Sequence, residues 1–203
     1  MRVLLASSSP QRREILQKLG VDFEVIVPGV DELTGGDPEV EVLENARSKA
    51  QAVASGSGGA PAGEVFVLGT PPDPLTTRLV IACDTDVVLD GRALGKPRDE
   101  VEAREYLDRM SGREHLVLSG LVVLESEQER SGVEVTRVLF KMLSEAEKQR
   151  YVEFGEWRGR SGGYAIQTLG STLVERVEGS VSNVVGLPVG LLVELAPGLF
   201  TRG

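Results

Sequence analysis

The chain opens on Val3-Leu4-Leu5-Ala6, a short apolar run that breaks into the hydroxyl residues Ser7, Ser8 and Ser9 and then a proline. A run of that length ending in turn chemistry reads as a buried strand, and Ser9-Pro10 reads as an N-cap followed by the first residue of a helix. The pattern therefore predicts a strand feeding a helix that stops at Gly20. Phe23 to Val27 predicts a second strand, from whose end Asp31 and Glu32 project. Asp37-Pro38 starts a second helix, with Val40, Leu43, Ala46, Ala50 and Val53 as its packing stripe and Lys49 off that stripe. Leu79 to Cys83 predicts a buried strand with Asp84-Thr85-Asp86 at its end, after which Val87-Val88-Leu89 continues into an Asp90-Gly91 hairpin turn. The return arm runs to Gly95-Lys96-Pro97, which places Asp84 and Lys96 on facing arms. Asp99 and Glu102 form a capping-box-like helix start, and that helix ends near Ser111-Gly112. His115 to Leu124 and Val133 to Met142 predict two long strands joined by a polar loop, Glu125 to Gly132. A capped helix from Ser144 to Phe154, a Gly159 to Gly163 turn, a strand around Leu173 to Val177 and an apolar helix to about Ala196 complete the chain. Strands and helices alternate and hairpins intervene, so the expected class is α/β with a mixed sheet flanked by helices.

Composition changes that picture at one place. Between Ser55 and Arg78 the residues turn to Gly, Ser, Pro and Thr around a small apolar island, which predicts an inserted, mobile loop at 55–78. With 203 residues, 41% of them apolar, the chain is expected to form a single domain over 1–203. A net charge of −9 argues against coating nucleic acid or binding an anionic membrane, so neither is expected as a partner and any phosphate site must be a local basic pocket. The single Cys83 excludes an intrachain disulfide, and no apolar run is long enough for a signal-peptide core or a membrane span. A soluble cytoplasmic protein is expected. The oligomeric state is not fixed by these residues, and a homodimer stays open.

Two features carry candidate chemistry. The helix capped by Ser9 leaves the backbone N–H groups from Ser8 to Arg12 without carbonyl partners, which suits an anion. Arg12 and Arg13 in its first turn oppose the helix dipole and make sense beside a phosphate or carboxylate, although a capped surface helix with solvated arginines has the same spacing. Acidic residues recur at the predicted strand ends, at Asp31-Glu32, Asp84 and Asp86, where carboxylates suit Mg²⁺ or Mn²⁺ bridging substrate phosphates. Asp84 stands out, because it leaves a buried strand at the edge of the core. The lone His115, Cys83 and Trp157 read as structural, Gly162-Gly163 reads as a tight turn, and no phosphate-binding Gly-x-x-x-x-Gly-Lys-Ser/Thr loop occurs.

Ser7, Ser9, Pro10, Arg12 and the pair Ile15-Leu16 resemble the N-terminal signature of the Maf family of nucleoside triphosphate pyrophosphatases. Asp84-Thr85 with Lys96-Pro97 resembles its second motif, and Glu32 and Lys49 fall on the acidic and basic positions between. Ser111-Gly112 with His115, Gly162 to Gln167, and Asn183 to Pro188 are similar to its later blocks, in consistent order from Leu4 to Pro188. The resemblance implies an elongated sheet in two lobes with an active-site cleft, and cleavage of a nucleoside triphosphate between its α- and β-phosphates. It also implies a divalent cation on Glu32 and Asp84, with Asp84, Lys96 and Glu32 catalytic. Ser7, Ser9, Gln11, Arg12, Lys49, Thr85 and Gln167 are then the substrate contacts. Thr85 and Gln167 match the branch acting on dTTP and UTP. Gln11 departs from it, since that branch carries arginine there, and Arg13 is the candidate to reach the same space. The family is also linked to restraint of cell division and septum formation, which makes a nucleotide-binding regulator without turnover the alternative.

Overall fold

The first apolar run forms β1 (Arg2–Ala6), the axis on which half of the sheet is hung. It pairs in parallel with β2 (Phe23–Ile26) on one side and with β3 (Arg78–Leu89) on the other. The computed structural model describes residues 2–56 and 78–200, so the stretch expected as an insert at 55–78 lies almost wholly outside the described residues. Between the parallel strands run α1 (Pro10–Lys18) and α2 (Pro38–Ala54), each starting on a proline behind a side-chain cap, Ser9 and Asp37 respectively. Beyond β3 every pairing is antiparallel: β3 with β5 (Glu114–Glu125), β5 with β6 (Gln128–Phe140), and β6 with β7 (Val174–Glu178). A two-residue strand, β4 (Arg92–Ala93), folds back on β3, completing a seven-stranded mixed sheet. The helices α3 (Glu100–Met110), α4 (Glu145–Phe154), α5 (Val181–Val185) and α6 (Val189–Leu195) complete an α/β fold, as expected.

Alternation along β1 and β3 splits the core between the two faces of the sheet. Leu5, Ile81 and Leu121 pack with Leu16 of α1 and Leu192 of α6 on one face. Leu4, Val80 and Val122 pack with Ala46 and Ala50 of α2 on the other. Leu107, Met110, Phe140, Tyr151 and Trp157 build a separate core under the antiparallel half.

One topological detail creates the site. β1 ends at Ala6, opposite Ala82, and β4 rejoins β3 only at Ala93, opposite Val88. From Cys83 to Val87, β3 therefore has β5 on one edge and, among the described residues, no strand on the other. This corrects the expectation that Asp84 and Asp86 stand at a strand end: the ladder to β5 carries β3 through them without a break. The expected return arm is likewise short, so Lys96 lies on the loop after β4, and Asp84 does not face it across a hairpin. In α2, Val40 is exposed and Val42 is buried in its place, while Glu41, Asn45 and Lys49 form a second buried stripe, so the helix buries more of its circumference than an apolar pattern reveals. The polar residues after Glu125 belong to β6, because Glu125 pairs with Gln128 around a two-residue turn. The short helix α5, capped by Ser180, was not indicated by periodicity.

Candidate active site

The unpaired edge of β3 opens into a cavity of about 510 Å³, lined by the Ser7 to Arg12 end of α1, by Glu32, Asn45 and Lys49, by Asp84 to Val87, and by Lys96 and Gln167. Alternation sends Asp84 and Asp86 to the α2 face and Thr85 to the α1 face. Because β1 and β4 stop short of this stretch, a single cavity reaches both.

On the α2 face Lys49, only 7% exposed, donates to Glu32 Oε1 at 2.5 Å and to Asp84 Oδ1 at 2.6 Å. Asn45, one turn earlier, donates from Nδ2 to Asp84 Oδ2 at 3.0 Å, so both oxygens of Asp84 are oriented. Asn45 also accepts from the Leu33 N–H at 2.7 Å and donates to the Leu33 carbonyl at 3.2 Å, which ties down the segment carrying Glu32. Sequence reasoning missed Asn45; its i,i+4 spacing to Lys49 was the available signal. Glu32 and Asp84 thus aim one oxygen each at the Lys49 ammonium, and hard oxygen donors of that kind fit Mg²⁺ or Mn²⁺ completed by substrate phosphates. Among the described residues no cluster of three or more His, Cys, Asp or Glu could hold a metal without such help.

On the α1 face Arg12 is buried, and its guanidinium is held by Nε to the Gly186 carbonyl at 2.8 Å, Nη1 to Ser7 Oγ at 3.1 Å and Nη2 to Thr85 Oγ1 at 3.1 Å. Thr85 Oγ1 lies 2.7 Å from Ser119 Oγ, which fixes it in turn. None of the partners of Arg12 is a carboxylate, so a buried positive charge faces the cavity without a counter-ion among the described residues. The helix end itself is partly closed: the Ser9 N–H is taken by Ser7 Oγ and the Arg12 N–H by Ser9 Oγ. Attraction for an anion therefore rests on the guanidinium more than on free backbone donors. Arg13 is exposed and does not line the cavity, so it does not replace the side chain expected at Gln11. Gln11 itself accepts from Ser9 Oγ at 2.9 Å.

Asp86 accepts from the Val87 N–H at 2.9 Å, from the Gly95 N–H at 3.3 Å and from the Ser161 hydroxyl. Burial pushes its carboxyl above the ordinary range, against the pull of these donors, and the charge of Asp84 adds in the same direction. Lys96 is exposed at the cavity wall and forms no ion pair among the described residues. Gln167 and Gln11 line a shallower neighbouring hollow as well as the main cavity, so the two amides occur at one end of the site. His115 is 2% exposed and bonds Tyr164 through Nε2 at 2.9 Å, Trp157 donates to the Val152 carbonyl at 3.0 Å, and Cys83 is buried, all in keeping with structural roles.

Among the described residues, a buried arginine without a counter-ion is set across a strand from an acid–lysine–acid cluster, an arrangement suited to an anion with a carboxylate beside it. The chain belongs to the Maf family: residues 2–198 match the Maf-like protein family. It is similar to a protein named dTTP/UTP pyrophosphatase from Deinococcus radiodurans, at 43% identity over 97% of this chain and 92% of that one. Proteins of the same name from Pelotomaculum thermopropionicum and Pyrococcus furiosus are 38% and 37% identical, covering 95% and 96% of this chain and 94% and 93% of their own. No helix among the described residues is long and apolar enough to cross a membrane.

Proposed function

We propose that this protein hydrolyses nucleoside triphosphates, dTTP and UTP foremost, to the monophosphate and pyrophosphate. The observation that carries the reading is the conjunction of Arg12, a buried cation with no carboxylate partner among the described residues, with Asp84, a carboxylate whose oxygens are both oriented by α2. The names borne by the relatives supply the nucleotide class. Arg12, Lys49 and Lys96 supply positive charge for the phosphates from different walls of the cavity. Ser7 and Ser9 shape the α1 rim by holding one another and Arg12.

In this reading Asp84 takes the proton of a water that attacks the α-phosphorus, the bond to the bridging oxygen breaks, and pyrophosphate departs toward Lys96. Lys49 keeps Asp84 and Glu32 in register, and its ammonium offsets the charge of two carboxylates that an incoming polyanion would otherwise meet. Glu32 and Asp84 would hold a Mg²⁺ or Mn²⁺ ion, which when bound supplies further neutralisation of phosphate charge. The test is a panel of nucleoside triphosphates with either cation, read as pyrophosphate release. Hydrolysis of dTTP and UTP ahead of the purine triphosphates is expected. Tight nucleotide binding with no pyrophosphate released would replace the enzyme with a regulator.

A further inference from the structure

Asp86 takes no part in the chemistry above, although it shares the cavity and the strand face of Asp84. Among the described residues its hydrogen bonds all fall on Oδ1, and their donors come from three separate pieces of chain: the Val87 N–H of β3, the Gly95 N–H of the loop after β4, and the hydroxyl of Ser161. Ser161 opens the tight turn that leads to Tyr164 and Gln167, and its Oγ also accepts from the Val87 N–H at 3.0 Å. The same two loops meet again where the Gly162 N–H donates to the Gly95 carbonyl at 2.7 Å. Gly162 itself is required there, since its φ is +68° and a Cβ would lie 2.6 Å from Val87 Cβ.

We propose that Asp86 is a positioning residue, whose Oδ1 pins the Gly95-Lys96 loop and the Ser161 turn to β3 and so sets where the Lys96 ammonium meets the triphosphate. The proposal rests on the reaction assigned above. Lys96 needs such an anchor because it is exposed and has no ion pair among the described residues; only its backbone fixes it, and the Gly95 N–H is the adjoining peptide group. A valine at this position would suit the apolar run that follows, but it would take the acceptor away from the Gly95 N–H and the Ser161 hydroxyl, leaving the Val87 N–H on Ser161 Oγ alone. Because a single oxygen does the work, an asparagine can replace the carboxylate with its own Oδ1, whereas alanine cannot.

The experiment measures pyrophosphate release from dTTP and UTP by the purified parent and by Asp86→Asn, Asp86→Ala, Ser161→Ala, Lys96→Ala and the Asp86→Ala/Lys96→Ala double variant. Asp86→Ala should lower kcat about 10- to 100-fold with little change in KM, as expected when a charge is misplaced by about an ångström. Asp86→Asn should stay within about fivefold of the parent. The double variant should be no slower than Lys96→Ala alone, because the anchor then has nothing to place. Should Asp86→Ala fail to fold, Ser161→Ala, which deletes one hydroxyl, must still lower kcat severalfold with an unchanged melting temperature. Three outcomes overturn the positioning role in an active parent: Asp86→Asn as slow as Asp86→Ala, multiplicative losses in the double variant, or Ser161→Ala equal to the parent. A parent that releases no pyrophosphate from any triphosphate overturns the reaction itself, and the positioning role with it.

Discussion

Gly120 is the register partner of Asp84 across the β3–β5 ladder, and a Cβ there would lie 2.2 Å from the Val42 carbonyl oxygen of α2. The absent side chain lets the helix backbone descend onto the sheet beside Asp84, which brings Asn45 and Lys49 within bonding distance of the carboxylate. Gly120→Ala should therefore act on stability and activity together. Overpacking of this kind costs about 1–3 kcal/mol, and kcat/KM should fall because Asn45 and Lys49 are pushed off Asp84. Denaturant unfolding and steady-state kinetics on one preparation check both effects; a variant with parental values for both would break the link between the close approach and the site.

Asp84→Asn keeps the shape of the side chain and can still meet Asn45 and Lys49 in part, so the fold should survive. It gives up the basicity needed to accept a proton from water and the charge that would balance a cation, and turnover should fall about a hundredfold to ten-thousandfold. Near-parental pyrophosphate release by the folded variant would remove Asp84 from the reaction.

Arg12 and Lys96 should respond differently to substitution, although both are assigned to phosphate. Arg12 uses three nitrogens on three acceptors in a buried setting, so Arg12→Lys should lose kcat/KM almost as fully as Arg12→Ala. Both should also cost about 1–3 kcal/mol of stability from the buried guanidinium hydrogen bonds given up. Lys96→Ala, at an exposed position, should lower kcat/KM while leaving the melting temperature unchanged. Equal behaviour of the two residues in the melting experiment would contradict the geometry.

His115 supplies a pH dependence of stability that is separate from catalysis. Burial holds its pKa at about 4, against an ordinary value of 6.5, and Nδ1 is buried without a partner among the described residues, so the protonated ring would carry an unmet donor. Between those pH values the unfolded chain binds a proton that the native chain refuses, and stability rises with pH. The contribution is full above about pH 6.5 and is lost progressively as pH falls toward 4, by roughly 3 kcal/mol at most. Unfolding free energies across that range should show the slope in the parent and a shallower one in His115→Gln. Parallel curves would assign the acid sensitivity to other groups.

The elements that position the site were legible where local chemistry dictates them. Ser9-Pro10 and Asp37-Pro38 mark helix starts, and Asp90-Gly91 turns with positive φ at both residues, as a two-residue hairpin demands. What stayed hidden depends on pairings between distant segments. Asp84 and Asp86 looked like strand-end residues because their polarity interrupts an apolar run, yet β5 carries the ladder past them and the opening comes from where β1 and β4 stop. Asn45 and Lys49 were off the apolar stripe of α2 and are nonetheless buried, since they turn toward a polar cavity that only the folded sheet creates. Arg12 could be suspected of anion binding from its place in a first turn, but its lack of a carboxylate partner among the described residues is a property of the tertiary structure.

Base preference is the prediction on which the particular substrate depends. Gln167 and Gln11 stand at one end of the cavity, away from the acid–lysine–acid cluster in sequence and on different elements, and both reach the adjoining hollow. A neutral amide presents a donor and an acceptor side by side, which matches the O4 and N3–H edge of uracil or thymine, whereas a carboxylate suits the donor-rich edge of guanine. Gln11 is drawn toward Ser9 by a 2.9 Å hydrogen bond and Arg13 points to solvent, so no arginine reaches this end from α1. In the proposed function Gln167 would carry the readout, and the site should favour dTTP and UTP with some breadth toward CTP. Discrimination that rests on paired hydrogen bonds is lost steeply when one partner reverses its polarity. Gln167→Glu should accordingly lower kcat/KM for dTTP and UTP by tenfold or more while affecting a guanine nucleotide far less. The check is a competition between dTTP, UTP, CTP, GTP and 7-methyl-GTP in parent and variant, and faster turnover of 7-methyl-GTP than of dTTP or UTP by the parent would leave the reaction standing and take the pyrimidine assignment away.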